Sequence, residues 1–313
     1  MKLLRRIRVE EWITLGLIAL AIGLMRLSGV PFGVRRVLDG IGLAYQQSAL
    51  LLLMAAVPAL IALHFTGRLK KRETNPLTWA NLGELVRCNL SFVVCIFIYS
   101  NLKAALPRLN PYLFDDELLR IDRVLFFGHA PNQFLPLLRP HWLVRVMDEA
   151  YSSFFLFFPA TMGLAFFLAD RRALRTFVAG YVLCFYFGTA LYYLAPSLGA
   201  IFTHAEWYAG LGPTRSAMIR DTLLREYRRV VLDPTHYQVK AFLGIGAFPS
   251  LHVAHVTVAL TVARRHFAWA LWLFAPVAAV MTLATMYFGW HYFFDLAGAL
   301  VVAWAALKII SRR

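Results

Sequence analysis

Residues 267–288 read FAWALWLFAPVAAVMTLATMYF and contain no charged side chain. A run of about 20 apolar residues is long enough to cross the hydrocarbon core of a bilayer as one helix. Similar runs recur along the chain, and the predicted spans are 12–28, 46–65, 88–106, 149–169, 174–195, 249–264, 267–288 and 292–310. The sequence therefore predicts an all-α fold, a polytopic membrane helix bundle of about eight transmembrane helices. In this prediction residues 1–87 form an N-terminal pair of helices with a basic loop, and residues 88–313 form a six-helix core.

The composition supports this class of fold. Of the 313 residues, 60% are hydrophobic and 16% are charged, whereas a soluble domain is about 45–50% apolar and about 25% charged. The net charge of +15 would suggest a nucleic-acid partner in a soluble protein. Here the arginines lie between apolar segments, and we find no nucleic-acid-binding motif. We therefore expect the bilayer and anionic lipids as partners, and no nucleic acid.

Basic residues in the short loops indicate the orientation of the chain. Lysine and arginine are enriched in short cytoplasmic loops, and the compact basic segments are 67–73, 170–175, 263–266 and 311–313. With eight helices, both termini and all four segments are cytoplasmic. The longer loops 107–148 and 196–248 then lie on the opposite face, where 107–148 is expected to form short interfacial helices. The compact chain suits a bacterial inner membrane.

Two polar clusters interrupt the apolar segments on that opposite face. In the stretch WHYFFD (290–295), His291 and Asp295 have the i, i+4 spacing that places both on one side of a helix start. The aspartate can accept the Nδ1–H of the imidazole and leave Nε2 free, which prepares a histidine to act as a nucleophile or a base. An ionisable residue so close to a membrane span indicates a functional site.

The second cluster is PSLH (249–252) at the start of another predicted helix. Pro249 suits a first helical turn, the helix N-terminus favours an anion, and the Ser250 hydroxyl can donate to that anion. Together with His252, these groups suit phosphoryl transfer to or from a lipid, in which one histidine attacks phosphorus and the other protonates the departing oxygen. His255 is interpreted as a packing residue, and the histidines lack the HExxH spacing of a zinc site.

These residues resemble a known family. FPSLHVA (248–254) and FGWHYFFDLAGA (288–299) resemble the second and third motifs of the type 2 phosphatidic acid phosphatase (PAP2) superfamily, in which many members read PSGH and then SR-x5-H-x3-D. Leu251 replaces the glycine, Gly289 and Trp290 stand near the usual serine–arginine pair, and the first motif, K-x6-RP, has at most a weak echo at Lys103. These departures resemble the inositol phosphorylceramide synthase branch, with sphingomyelin synthases as more distant kin. Softer matches to that branch are 115–132 and 192–202.

The resemblance implies roles for individual residues. His291 would be the nucleophile, Asp295 its orienting partner and His252 the general acid, with no metal and no cofactor. Ser250 would help to hold the phosphate. Because the arginine of the usual third motif is missing, the phosphate clamp is sought among outer basic residues, and the candidates are Lys103, Arg108 and the 215–229 cluster that includes Arg228 and Arg229.

Three functions are compatible with the sequence. A headgroup phosphotransferase would move a phospho-alcohol such as phosphoinositol to the hydroxyl of a phospholipid or sphingolipid precursor. A lipid phosphate phosphatase would resolve the same phosphohistidine with water. A non-enzymatic transporter or scaffold would place ionisable residues deep within its helices, whereas here they concentrate at one rim. Leu251 and the upstream matches favour the phosphotransferase.

Overall fold

The computed structural model describes residues 7–43, 46, 64 and 75–311, and within these residues it contains helices and no strands. The principal helices are α1 (Val9–Ser28), α2 (Trp79–Leu109), α3 (Asp115–Leu125), α4 (His141–Ser152), α5 (Phe154–Leu168), α6 (Arg171–Leu194), α7 (Arg215–Leu232), α8 (Leu251–His266), α9 (Leu271–Tyr287) and α10 (Phe294–Ser311). Residues 35–43 are also helical. Shorter helical turns are Pro131–Phe134, Leu135–Leu137, Ala200–Thr203, Ala205–Leu211 and Ala268–Ala270.

The predicted all-α bundle is confirmed. Seven of the eight predicted spans coincide with helices, and the eighth, 46–65, lies outside the described residues apart from 46 and 64. Among the residues that the structure describes, five helices are long and apolar enough to cross a membrane, namely α1, α2, α6, α10, and α9 with the turn before it. The fold is therefore that of a multi-pass membrane protein.

Two of the predicted spans differ in detail from the structure. The segment 149–169 is not one straight helix, because α4 and α5 meet at Ser153 with a bend of 46°. There the Ser153 hydroxyl donates to the Ala150 carbonyl oxygen (2.6 Å), and side-chain bonds of this kind commonly accompany helix bends. Helix α8 has 16 residues and is about 24 Å long, which is shorter than the roughly 30 Å hydrocarbon core.

Helix α6 lies at the centre of the bundle and packs against α2, α5, α8 and α10. Its glycines allow α8 to approach closely. A Cβ atom at Gly188 would lie 2.4 Å from the Leu251 side chain, and one at Gly180 would lie 2.7 Å from Val258. The small residues of α6 therefore fix the position of the helix that follows the PSLH motif.

A cluster of ion pairs joins three helices at the end of the bundle opposite the PSLH motif. Buried Glu84 of α2 pairs with Arg8, which caps α1, and with Arg175 of α6 (2.6 Å). Arg87 pairs with Glu11 (2.6 Å) beside them. These contacts place the starts of α1, α2 and α6 at one end. The end of α6 therefore lies at the opposite end. The start of α8 lies there too, because the Phe248 N–H donates to the Ser197 hydroxyl oxygen (2.8 Å) just after α6. The Ser250 N–H donates to the Asp295 carbonyl oxygen (3.2 Å), which brings the start of α10 to the same end.

Candidate active site

The structure brings the two predicted histidines into direct contact. His252 lies in the first turn of α8, and His291 lies in the loop between α9 and α10. The His252 Nδ1 and His291 Nε2 atoms are 3.2 Å apart. Asp295, in the first turn of α10, stands directly behind His291. The two polar clusters of the sequence therefore form one site.

His291 is held by the carboxylate of Asp295. The Nδ1 atom of His291 lies 3.1 Å from Asp295 Oδ2, which also accepts the backbone N–H of Tyr292 at 3.0 Å. Asp295 is fully buried and His291 is 3% exposed. Because the carboxylate holds the Nδ1–H, the lone pair of Nε2 is directed towards His252. This is the geometry that a histidine nucleophile requires.

The surroundings of His291 keep its imidazole neutral. Burial lowers the pKa of His291 to about 3, and the ammonium group of Lys103 acts in the same direction. A neutral imidazole has the free lone pair that attack on phosphorus needs.

His252 is placed to exchange a proton. With the Nε2 of His291 as an acceptor, the Nδ1–H of His252 is the donor of their hydrogen bond. The His252 ring packs against Phe154 and Tyr151, with ring centroids 4.4 and 5.1 Å away. A phosphoryl group placed between the two rings would replace this hydrogen bond, and the His252 Nδ1–H would then face an oxygen on the side of phosphorus opposite His291.

Two buried aspartates of α3 support the loop that carries His291. Asp122 accepts the backbone N–H groups of Phe293 (2.6 Å) and Phe294 (2.9 Å) at the start of α10. Asp115 accepts the Tyr292 hydroxyl (3.0 Å) and two backbone N–H groups at residues 198–199. Burial raises the pKa of Asp122 to about 6 and also raises the pKa of Asp115. Sequence reasoning assigned neither residue a role, although their i, i+7 spacing places both on one face of α3.

An asparagine and a glycine complete this loop. The fully buried Asn132 side chain donates to the carbonyl oxygens of His291 (3.1 Å) and Met286 (3.2 Å). Gly289 has a φ of +73°, and a Cβ atom there would lie 2.2 Å from the Tyr208 ring. Only glycine fits this position. This explains why a glycine, Gly289, is found near the place where many members of the family have the serine–arginine pair.

Of the predicted phosphate-binding residues, Lys103 lines the cavity that contains both histidines. Its Nζ atom donates to the Tyr99 hydroxyl at 2.9 Å and lies 5.3 and 5.1 Å from the centroids of the Tyr99 and Tyr192 rings. Its methylene groups pass beside Gly244 and Gly246, where added Cβ atoms would lie 2.9 and 3.3 Å from the lysine. Lys103 is therefore the predicted cation that reaches the site.

The other predicted phosphate-binding residues lie elsewhere. Arg108 donates to the Val231 carbonyl oxygen at 3.4 Å, Arg229 pairs with Glu226 at 3.2 Å, and Arg228 is exposed on α7. None of the three lines the cavity. The hydroxyl of fully buried Ser250 accepts the Val253 N–H at 3.4 Å, so it caps α8 and does not line the cavity.

The site opens into a large cavity of about 1350 Å³. Small-molecule pockets usually measure about 300–1,000 Å³. Apolar and aromatic residues of α2, α5 and α6 form most of its walls, together with residues 31–43 and 237–246. Exposed apolar side chains such as Val34 (52%) and Phe155 (58%) stand at its edge. In the part of the chain that the structure describes, no group of three His, Cys, Asp or Glu side chains is arranged to hold a metal.

Comparison with known proteins identifies the family. The family model of the PAP2 superfamily matches residues 116–309, which is more than half of the chain and includes both histidines and Asp295. No curated protein and no solved structure matches the chain. The chain therefore belongs to the PAP2 superfamily, and this membership supports a phosphatase or phosphotransferase activity.

Proposed function

We propose that this protein is a membrane lipid headgroup phosphotransferase. It transfers a phospho-alcohol such as phosphoinositol from one lipid to the hydroxyl of another through a phosphohistidine at His291. The observation that carries this proposal is the position of the two histidines in a 1350 Å³ cavity with mostly apolar walls. Such a cavity suits the acyl chains of a lipid whose headgroup reaches the histidines.

The first step forms the phosphoenzyme. The Nε2 atom of His291 attacks the phosphorus of the donor lipid, and the bond between phosphorus and the oxygen of the lipid breaks. His252, which enters this step as an imidazolium, gives its Nδ1 proton to this oxygen, so the lipid leaves as a neutral alcohol and His252 becomes a neutral imidazole. The buried carboxylate of Asp295 stabilises the positive charge that develops on His291. The ammonium group of Lys103 stabilises the non-bridging phosphate oxygens.

The second step reverses the proton transfer. His252, now a neutral imidazole, takes the proton of the acceptor hydroxyl on Nδ1 as the hydroxyl oxygen attacks the phosphorus. The bond between phosphorus and His291 breaks, and both histidines return to their starting states. The apolar walls of the cavity favour a lipid alcohol over water as the acceptor.

A lipid phosphate phosphatase is the second candidate function. It uses the same residues, with water attacking the phosphohistidine. Exposed charged residues at the cavity edge, Arg35, Arg36 and Asp39, favour this alternative because they provide a hydrated approach to the site.

We further propose that the protein lies in a bacterial inner membrane with its active site on the non-cytoplasmic face. The ion-pair cluster around Glu84 is at the end opposite the histidines. Basic residues also close the last turns of α8 (Arg264, Arg265) and α10 (Lys308), which both begin at the active-site end. The positive-inside rule places this basic end in the cytoplasm.

A transfer assay tests the proposal. Purified protein in bilayer nanodiscs is supplied with headgroup-labelled phosphatidylinositol, with ceramide, with diacylglycerol or without an added acceptor. We expect a labelled lipid product that depends on the acceptor, and no product with the His291→Ala variant. Release of free phosphate from phosphatidic acid or a polyprenyl diphosphate, with no transfer product in any arm, would refute the phosphotransferase and support the phosphatase.

A further inference from the structure

The cavity wall contains two buried polar atoms that the proposed chemistry does not use. They are the hydroxyl oxygen of Tyr181 on α6 and the Nδ1 atom of His255 on α8. Tyr181 is 2% exposed, His255 is fully buried, and both residues line the cavity. Neither atom has a hydrogen-bond partner among the residues described. Because buried polar groups are nearly always hydrogen-bonded, two such atoms on residues that line one cavity are candidates to bind a polar group of a ligand that enters it.

The two side chains form one unit with defined hydrogen-bonding capacity. Their rings stack with centroids 4.3 Å apart, and the His255 Nε2 atom lies 3.2 Å from the Tyr181 carbonyl oxygen. A neutral imidazole that donates Nε2–H to this carbonyl keeps Nδ1 as an acceptor. The Tyr181 hydroxyl supplies a donor. The unit therefore offers one acceptor and one donor to the cavity.

Aromatic rings surround this pair. The centroid of Phe185 lies 4.2 Å from that of His255, the centroid of Phe158 lies 5.2 Å from that of Tyr181, and Phe154 stands between His252 and His255. In such apolar surroundings a polar atom without a hydrogen-bond partner costs free energy. A ligand group that forms the hydrogen bond therefore binds more tightly there.

The position of the pair fits the backbone of a lipid. His255 follows His252 by three residues on α8, which corresponds to about 4.5 Å along the helix axis. A ligand whose phosphate meets His252 and His291 therefore places the atoms a few bonds below the phosphate near Tyr181 and His255. In a lipid these atoms carry the hydroxyl, amide or ester groups that join the headgroup to the acyl chains.

We propose that Tyr181 and His255 form a second polar subsite that binds a free hydroxyl group on the lipid backbone next to the phosphorylated position. A hydroxyl donates to His255 Nδ1 and accepts from the Tyr181 hydroxyl, so it satisfies both atoms. An ester carbonyl only accepts, and it leaves His255 Nδ1 unpaired. The subsite therefore favours an acceptor or product lipid with a free hydroxyl next to the phosphorylated position, whereas a fully esterified donor meets only the Tyr181 hydroxyl there. This inference rests on the proposed function only in that a lipid occupies the cavity.

A binding experiment with two matched ligands tests the subsite. The inactive His291→Ala variant is titrated with 1-oleoyl lysophosphatidic acid, which has a free 2-hydroxyl, and with its 2-deoxy analogue. We expect the deoxy analogue to bind about ten-fold more weakly, because it loses two hydrogen bonds. Added to this variant, Tyr181→Phe or His255→Leu should reduce the ratio of the two affinities, and both together should bring it close to one.

Tyr186→Phe is the matched control. Tyr186 lies on the same helix, and its hydroxyl contacts Thr14 at 2.7 Å and does not line the cavity, so this substitution should leave the ratio unchanged. Tyr181→Phe keeps the volume of the ring, so it tests the subsite even where the His255 variant does not fold. Equal affinities for the two ligands in the starting variant, or a ratio that survives both substitutions, would overturn the subsite. Failure of both ligands to bind would contradict the lipid cavity itself, and with it the proposed function.

Discussion

The carboxylate of Asp295 provides the sharpest test of the active site, through the substitution Asp295→Asn. Asparagine keeps the volume of the side chain and an acceptor for the Tyr292 N–H. It removes the negative charge that faces His291 Nδ1 across 3.1 Å. When its oxygen occupies the place of Oδ2, it accepts both the Tyr292 N–H and the His291 Nδ1–H, so the reactive tautomer is kept and the substitution removes the charge alone.

The size of the effect follows from the geometry. In the transition state His291 becomes cationic, with its charge about 4 Å from the buried carboxylate, and two unit charges at this distance interact by about 4 kcal/mol at an effective dielectric constant of about 20. Since each 1.36 kcal/mol changes a rate about tenfold, kcat should fall about 10³-fold.

The assay combines turnover of the lipid donor with thermal unfolding. We expect the large loss in kcat, little change in KM and an unfolding temperature that is preserved or raised, because the substitution removes a charge from a fully buried side chain. Asp221→Asn is the control, since Asp221 is 52% exposed on α7 and should remain fully active. A loss of less than tenfold in kcat, or a collapse of the fold, would refute the reasoning.

Further predictions address the other parts of the site. His252→Gln should slow lipid turnover by about 10²–10⁴-fold. It should spare p-nitrophenyl phosphate esters, because p-nitrophenolate leaves without protonation. Equal losses with both substrates would contradict a general acid. Lys103→Met should lower kcat/KM by about 10²-fold, and unchanged kinetics would exclude it from phosphate stabilisation. Because burial lowers the pKa of His291, the ring is protonated only at lower pH, so kcat/KM should hold its plateau below pH 6.5, and an acid limb at 6.5 would contradict this. Met218→Cys, at a position 72% exposed on α7, should react with an impermeant maleimide from the non-cytoplasmic side; labelling only after permeabilisation would reverse the topology.

The sequence predicts the helices and the catalytic pair because both depend on local spacing. Apolar length defines a span, and the i, i+4 spacing of His291 and Asp295 brings their side chains together without reference to the rest of the chain. The roles of Asp115 and Asp122 depend on partners more than 80 and 170 positions away in the sequence. No local sequence pattern contains such distant pairs. The contacts that hold the loop carrying His291 were therefore not predicted.

The basic residues predicted to bind phosphate show a second limit of prediction from sequence. Lys103 and Arg108 lie five residues apart on α2, which corresponds to about 140° around a helix, so only one of them can face the cavity. The arginines of α7 form part of an exposed surface, and their positive charge alone does not distinguish a phosphate site from a solvated face. Which cations reach the site is set by helix rotation and packing, and these depend on contacts across the whole bundle.

The hydrogen bond between the two histidines has a consequence for chemical selectivity. With no group between the two rings, the Nε2 atom of His291 accepts the Nδ1–H of His252, and the two nitrogen atoms are 3.2 Å apart. An adventitious electrophile therefore meets a nitrogen that is already engaged. A ligand must separate the two rings before it can be attacked, which requires enough contacts with the cavity to compensate for the lost bond. In the proposed mechanism the nucleophilic atom of His291 is thus protected until a molecule of suitable length and polarity has been bound.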